Sequence, residues 1–142
     1  MPDTSPSNGP LDGRLILITG ASRGIGRAAA IACATAGAEL IITGRTSGAL
    51  EEVDDEIRAV GAKATIVELD QTDYAATPRL ADAIASRWGR LDGFVANAGQ
   101  LGQMAPMAHI EPDIWERTLS VNLTSIWFQA KTFDRLLRAA PA

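Results

Sequence analysis

The sequence predicts an α/β fold in which a parallel sheet is covered by helices on both faces. Three observations predict it. Short apolar runs alternate with stretches of helical periodicity, the signature of β-α units and hence of parallel strands. The first run passes directly into Thr19-Gly20-Ala21-Ser22-Arg23-Gly24-Ile25-Gly26, which reads as a tight turn opening a helix. The first two helical stretches stop at Gly37 and Gly61, and glycine accepts the left-handed backbone that a helix end often requires.

Taken in order, residues 14–19 form the first strand and 24–36 the first helix, closed by Gly37. Residues 39–43 are the second strand, and Ser47 is placed to cap a helix over about 49–60. Residues 63–69 are the third strand, followed by a mostly helical stretch over 73–88 whose first turn is limited by Pro78. Residues 91–97 are the fourth strand, opened by Asp92-Gly93. After a Gly/Pro/Met loop over 100–110, Pro112 suits the first turn of a long helix reaching about residue 139. That helix carries one apolar row at Trp115, Leu119, Leu123, Ile126, Ala130, Phe133 and Leu137, and a second at Ile114, Val121, Phe128 and Leu136. Two rows imply burial on two sides. One side can cover the sheet; the other calls for more protein, from this chain or a partner. The Pro/Ser/Asp-rich residues 1–10 read as a flexible tail ahead of a single domain, 11–142.

Composition narrows the function classes. The chain of 142 residues is 46% hydrophobic, ordinary for a globular protein and too apolar for a disordered one. Its net charge of -4 comes from interleaved acids and bases, with no basic block to suggest nucleic acid. No apolar stretch approaches the roughly 20 residues of a membrane span. Residues 1–10 lack the apolar centre of an export signal, which makes the cytoplasm the expected compartment. Cys33, in an alanine-rich helical run, is expected to be a small buried hydrophobe. No group of Cys, His and acidic residues has metal spacing, so no metal is expected, and the single histidine, His109, is expected to be solvated.

The chemistry concentrates at the glycine turn. Glycine lets the backbone approach a phosphate and take otherwise strained dihedrals. The helix that follows begins with unpaired amides and a partial positive charge, which suit an anion. The strand before the turn and the helix after it are the context that gives a glycine pattern meaning.

These residues resemble the short-chain dehydrogenase/reductase family, whose turn has the pattern Thr-Gly-x-x-x-Gly-x-Gly, matched in full by Thr19, Gly20, Gly24 and Gly26. Asn97-Ala98-Gly99 resembles the family's Asn-Ala-Gly element after the fourth strand. Asp70 falls where the family has an acid that contacts adenine, and Asn122 where it has a catalytic Asn on the long helix. The four elements occur in family order across about residues 11–138. There are two departures: Ala96 stands where the family often has a first Asn, and Gln71 where it usually has an aliphatic residue.

The resemblance implies a Rossmann-like, doubly wound parallel sheet of strand order 3-2-1-4, truncated after the fourth strand and the long helix that follows. It implies a dinucleotide cradled by Gly20, Ser22, Arg23, Gly24, Ile25 and Gly26. Asp70 and Gln71 would flank adenine, Asn97, Ala98 and Gly99 would lie at the adenosine ribose and nearby backbone, and Asn122 would be the one catalytic residue present. It also implies a small carbonyl or alcohol substrate and a homo-oligomer formed through the long helix, 112–138. An acid at the end of the second strand would hold a ribose 2'-hydroxyl, whereas a base there accommodates a 2'-phosphate. The chain reads Ile42-Thr43-Gly44-Arg45, and Arg23 is a second cation nearby. NADP is therefore expected over NAD.

The family's acid/base pair, Tyr-x-x-x-Lys, has no counterpart. The one tyrosine, Tyr74, is followed four residues on by Pro78, and the only lysines are Lys63 and Lys131. Such a pair is needed because a phenol near pKa 10 must be tuned toward working pH by a cation. The expectation is an NADP-preferring oxidoreductase represented by its cofactor-binding half and inactive alone. The alternatives are a non-catalytic dinucleotide-binding or interaction protein and a truncated gene product.

Overall fold

Four parallel strands make one sheet, in the order β3-β2-β1-β4, with β1 at Leu15–Thr19, β2 at Glu39–Gly44, β3 at Ala64–Glu68 and β4 at Gly93–Val95. The computed structural model describes residues 9–142. The expected tail therefore falls largely outside the described residues. Gly9, near its end, is held in place: its carbonyl accepts from the Asp12 amide at 3.0 Å, and just past the tail the Leu11 amide donates to the Ala36 carbonyl at 2.9 Å.

The sheet separates two apolar cores because alternate residues of a strand face opposite sides. Ile16 and Ile18 of β1 and Leu40 and Ile42 of β2 face one side. There they pack with Ala30 and Ala34 of α1 (Gly24–Thr35) and Leu50, Val53 and Ile57 of α2 (Ser47–Ala59). Leu15, Leu17 and Ile41 face the other side. They meet Leu80 and Ile84 of α3 (Ala76–Arg87) and Phe133 and Leu136 of α5 (Ser125–Arg138). Each such leucine or isoleucine contributes about 1.5–3 kcal/mol by leaving water.

Element boundaries depart from the sequence reading in a few places, each with a local cause. Thr46, extended at φ -128, takes the cap position of α2, so Ser47 is the first helical residue and makes no cap bond. Asp73 lies ahead of α3, and its carboxylate accepts the amides of Ala75 and Ala76 at 3.1 Å. Gly37 and Gly61 do end their helices, at φ 99 and 84.

The fourth strand is shorter than expected. Leu91 is buried but precedes the ladder, which pairs Gly93, Phe94 and Val95 with Ile16, Leu17 and Ile18. Asp92 fixes that start: its carboxylate accepts the Leu15 amide at 2.9 Å, Arg14 at 3.2 Å and Arg90 at 3.0 Å. Beyond Val95 the chain leaves the sheet because the amides of Asn97 and Ala98 both donate to the Thr19 hydroxyl at 3.1 Å.

The long helix is not continuous. After α4 (Pro112–Leu119), residues Ser120–Thr124 form a π turn before α5 begins. A π turn carries an extra residue, so it rotates everything beyond it relative to what precedes. The buried stripe is consequently Val121, Ser125, Gln129, Phe133 and Leu136. It draws from both expected rows and includes two polar residues that neither row contained. Trp115, Leu119, Leu123 and Trp127 remain exposed. No helix is long and apolar enough among the described residues to cross a membrane.

Candidate dinucleotide-binding site

The strand ends converge on one cleft of about 290 Å³, at the C-terminal edge of the sheet. All the expected site residues except Gly26 and Asn122 line it: Gly20, Ser22, Arg23, Gly24, Ile25, Arg45, Asp70, Gln71, Asn97, Ala98 and Gly99. Clefts outside the strand ends of open α/β sheets, where the strand order reverses, are the usual ligand sites of such folds. Here β1 is the reversal point, since its successors run to β2 on one side and to β4 on the other.

The three glycines of the turn have different physical jobs. Gly20 has φ +64, and a Cβ there would lie 2.8 Å from the Ala98 Cα. It therefore needs both the left-handed backbone and the close approach. Gly24 has φ +58, and a Cβ there would meet nothing within 4 Å, so the space beside it is open. Gly26 is buried beneath the turn: a Cβ would fall 2.2 Å from the Gly20 carbonyl oxygen and 2.5 Å from the Asn97 Nδ2. Gly26 thus packs helix against turn and does not border the cleft.

The helix start behind Gly24 is left for an anion. Arg23 occupies the cap position in extended conformation, no side chain caps α1, and its first turn carries no acid. The uncapped amides and the helix dipole favour a diphosphate there. Arg23 and Arg45 are exposed on the cleft, and Asp70 is the one carboxylate among its lining residues. The residues present therefore fit a phosphorylated dinucleotide.

Asn97 holds the turn from below. Its Nδ2 donates to the carbonyls of Thr19 and Gly20, each at 3.1 Å. No non-glycine residue among those described has positive φ, so Asn97 is no left-handed loop residue. With its amide committed to the turn, it shapes the turn backbone that borders the cleft. Asn122 lies in the π turn and is exposed. Its Oδ1 accepts the Gln100 amide at 2.8 Å and its Nδ2 donates to the Gln100 carbonyl at 2.7 Å. It borders a shallower space shared with Gly99, Gln100 and Leu101.

Asp70 accepts the Thr72 hydroxyl at 2.7 Å and the Thr72 amide at 2.8 Å. Those bonds, with the charges of Arg117 and Arg45, hold its carboxyl below the usual carboxylate range. Gln71 is buried, and its Oε1 accepts from Gln129 Nε2 of α5 at 2.6 Å.

Gly44, Leu69, Gln100, Arg117 and Val121 also line the cleft, and the sequence assigned none of them to the site. Gly44, Leu69, Gln100 and Val121 each neighbour a motif residue in sequence. Arg117 precedes Val121 by one helical turn, a spacing that places both on one face. Tyr74 is half-exposed, packed edge-on to Phe128 at 5.0 Å, and does not line the cleft. Cys33 is only half-buried, short of the full burial expected, and its burial pushes the thiol pKa up. His109 is exposed in a short 3₁₀ turn, and the described residues hold no cluster suited to a metal.

The short chain dehydrogenase family profile matches residues 14–141. The chain belongs to that family. Among curated relatives of this family member, the uncharacterized oxidoreductase YciK of Escherichia coli is 34% identical over 140 residues, 96% of this chain and 56% of its own. A Mycobacterium tuberculosis hexahydro-indene-carboxyl-CoA reductase is 36% identical over 142 residues, covering 99% of this chain and 54% of its own. A short chain dehydrogenase structure from Shigella flexneri complexed with NADP superposes at TM-score 0.89 with 33% identity, covering 94% of this chain and 57% of that one. The chain thus spans about half the length of the relatives it matches. Its parallel sheet and flanking helices are the Rossmann-like fold of that family.

Proposed function

We propose that this chain binds NADP in the cleft at its strand ends and is the cofactor-binding part of a short-chain oxidoreductase acting on a carbonyl or alcohol. The observation that carries the reading is the uncapped start of α1, open beside Gly24 and flanked by Arg23 and Arg45. The α1 amides hold the diphosphate, and the two guanidiniums take the 2'-phosphate. Thr19 and Asn97 keep the turn in shape through their bonds to its backbone and to the segment after β4. Asn122 acts as a positioning residue, fixing Gln100 and so the outer wall of the site. When bound, a reduced nicotinamide supplies hydride to a carbonyl carbon, and its oxidised form accepts hydride from an alcohol.

Calorimetric titration with NADPH and NADH tests the assignment. NADPH is expected to bind more tightly, and Arg45→Asp to weaken NADPH by about tenfold or more while NADH gains. An unchanged preference overturns it.

A second reading, a dinucleotide-binding protein without turnover, is favoured by one observation: neither the lone tyrosine nor a lysine lines the cleft. Binding of NADPH with no oxidation across a panel of ketones is expected of this chain alone. A Tyr-x-x-x-Lys in the coding DNA past Ala142 would favour the oxidoreductase over the binder, and an immediate stop codon the reverse. The exposed face carrying Trp115, Leu119, Leu123 and Trp127 supports self-association through residues 112–138 in either case.

A further inference from the structure

Three guanidiniums border the cleft, and the cofactor contacts proposed above use two of them. Arg23, Arg45 and Arg117 all line it, and all three are exposed. None of them is in a salt bridge among the described residues. The lining sets one carboxylate against them, Asp70, whose Oδ1 already accepts twice from Thr72. The cleft is therefore locally cationic on a chain whose net charge is -4. A cleft opposed in sign to its own protein concentrates anions.

The third cation comes from a different part of the fold. Arg23 stands at the start of α1, which packs on one face of the sheet. Arg117 belongs to α4, which leads through the π turn into α5 on the other face. Val121, about one turn further along, lines the cleft as well, so Arg117 lies on the cleft side of its helix. Asp113 and Glu116 share α4 with it, but neither lines the cleft. The Asp70 carboxyl registers the charge: the Thr72 bonds lower its pKa most, and Arg117 and Arg45 lower it further. A solvated guanidinium without a fixed partner acts at range, through charge more than through shape. Ligands of one shape and unequal charge then feel it unequally. NADPH carries about 1.5–2 more negative charges than NADH at neutral pH.

We propose that Arg117 is a charge-selecting residue of the cleft, favouring the more anionic dinucleotide by long-range attraction rather than by gripping any one group. The inference rests on the dinucleotide reading above and adds a specificity residue from α4. The measurement is the calorimetric affinity of the full chain for NADPH and for NADH, at low and at high salt. Arg117→Gln is expected to cut the NADPH-to-NADH affinity ratio about threefold at about 0.01 M salt, where the screening length is about 30 Å. At about 1 M salt, where that length is about 3 Å, wild type and variant should converge on one ratio. Arg117→Lys keeps the charge without the planar fork and should retain the wild-type ratio. A stacking or merely structural role would weaken both dinucleotides together, because they carry the same base and the same nicotinamide, and would leave the ratio alone. An unchanged ratio in Arg117→Gln, or a ratio lost equally in Arg117→Lys, overturns this inference but not the cofactor reading. A wild-type chain that binds neither compound, or both equally, overturns both.

Discussion

The centre of the sheet and its β4 edge differ in how completely they are covered. Around β1 and β2, every residue of β1 is buried, and all of β2 except Glu39. Helices α1 and α2 close one core, and α3 and α5 the other. At the β4 edge the ladder is three residues long and Val95 is exposed, and α4, the next α-helix along the chain, has no buried residue. The apolar content is similar in kind, but only the first region has a layer on each face. The lesson is that an apolar pattern specifies a face to be covered, and a neighbour must exist to cover it. The cleft lies where the regions meet, with the glycine turn on one side and the Asn97 to Gln100 segment on the other.

The sharpest way to break this contrast is within the closed region. Gly26→Val should produce the largest effect, because a Cβ there would lie 2.2 Å from the Gly20 carbonyl oxygen. A loss of about 3 kcal/mol in urea unfolding is expected, with NADPH binding abolished. A stable variant would show that the turn and α1 are not packed as described.

Next is the seam between the regions. Asp92, its side chain 2% exposed, ties β1 to β4 through Leu15, Arg14 and Arg90. Asp92→Ala should cost about 2 kcal/mol, below a fully enclosed pair because both arginines stay about a third exposed. Burial pushes the Asp92 carboxyl up, but the Leu15 amide and the two guanidiniums outweigh it and hold the pKa below the usual range. The folded value lies under the unfolded one, so the stabilisation is complete above about pH 4 and is lost as pH falls through the depressed value. Urea midpoints measured from pH 5 to 2 should fall steeply for wild type and less so for Asp92→Asn.

Asn97→Ala should cost less, about 1–2 kcal/mol for two lost hydrogen bonds to the turn. It should weaken NADPH more than it weakens the fold, as paired titration and melting would register. The smallest effect on stability is expected at the open edge. Leu123→Glu, on a residue 63% exposed, should leave the melting temperature nearly unchanged and shift sedimentation toward the monomer. An unaltered sedimentation profile would remove self-association through this face.

Much of the site was legible because it is local in sequence. Gly20 and Gly24 do take positive φ, at 64 and 58, and α1 does begin at Gly24, as a strand-turn-helix motif requires. The parallel order also agreed with expectation. What escaped the reading depends on contacts across the chain. Arg117 of α4 lines the cleft together with residues of the strand ends far from it in sequence. Asn97 turns out to brace the glycine turn from a distance of 78 residues along the chain. The Gln71–Gln129 pair spans 58 residues, and periodicity assigned Gln129 to no apolar row. The π turn hid it further, since a one-residue excess in the helix changes which side chains face inward.

The sequence by itself determined the alternation of strands and helices, the glycine turn with its uncapped helix start, and the cation after β2. These follow from backbone sterics, side-chain period and local charge, which act over a few residues. The tertiary structure alone decided where β4 ends, which stripe of the long helix is buried, and which amides are spent holding the cleft rather than facing it. Those outcomes depend on partners distant in the chain, because a polar group or an apolar face commits only when packing brings its neighbour within reach.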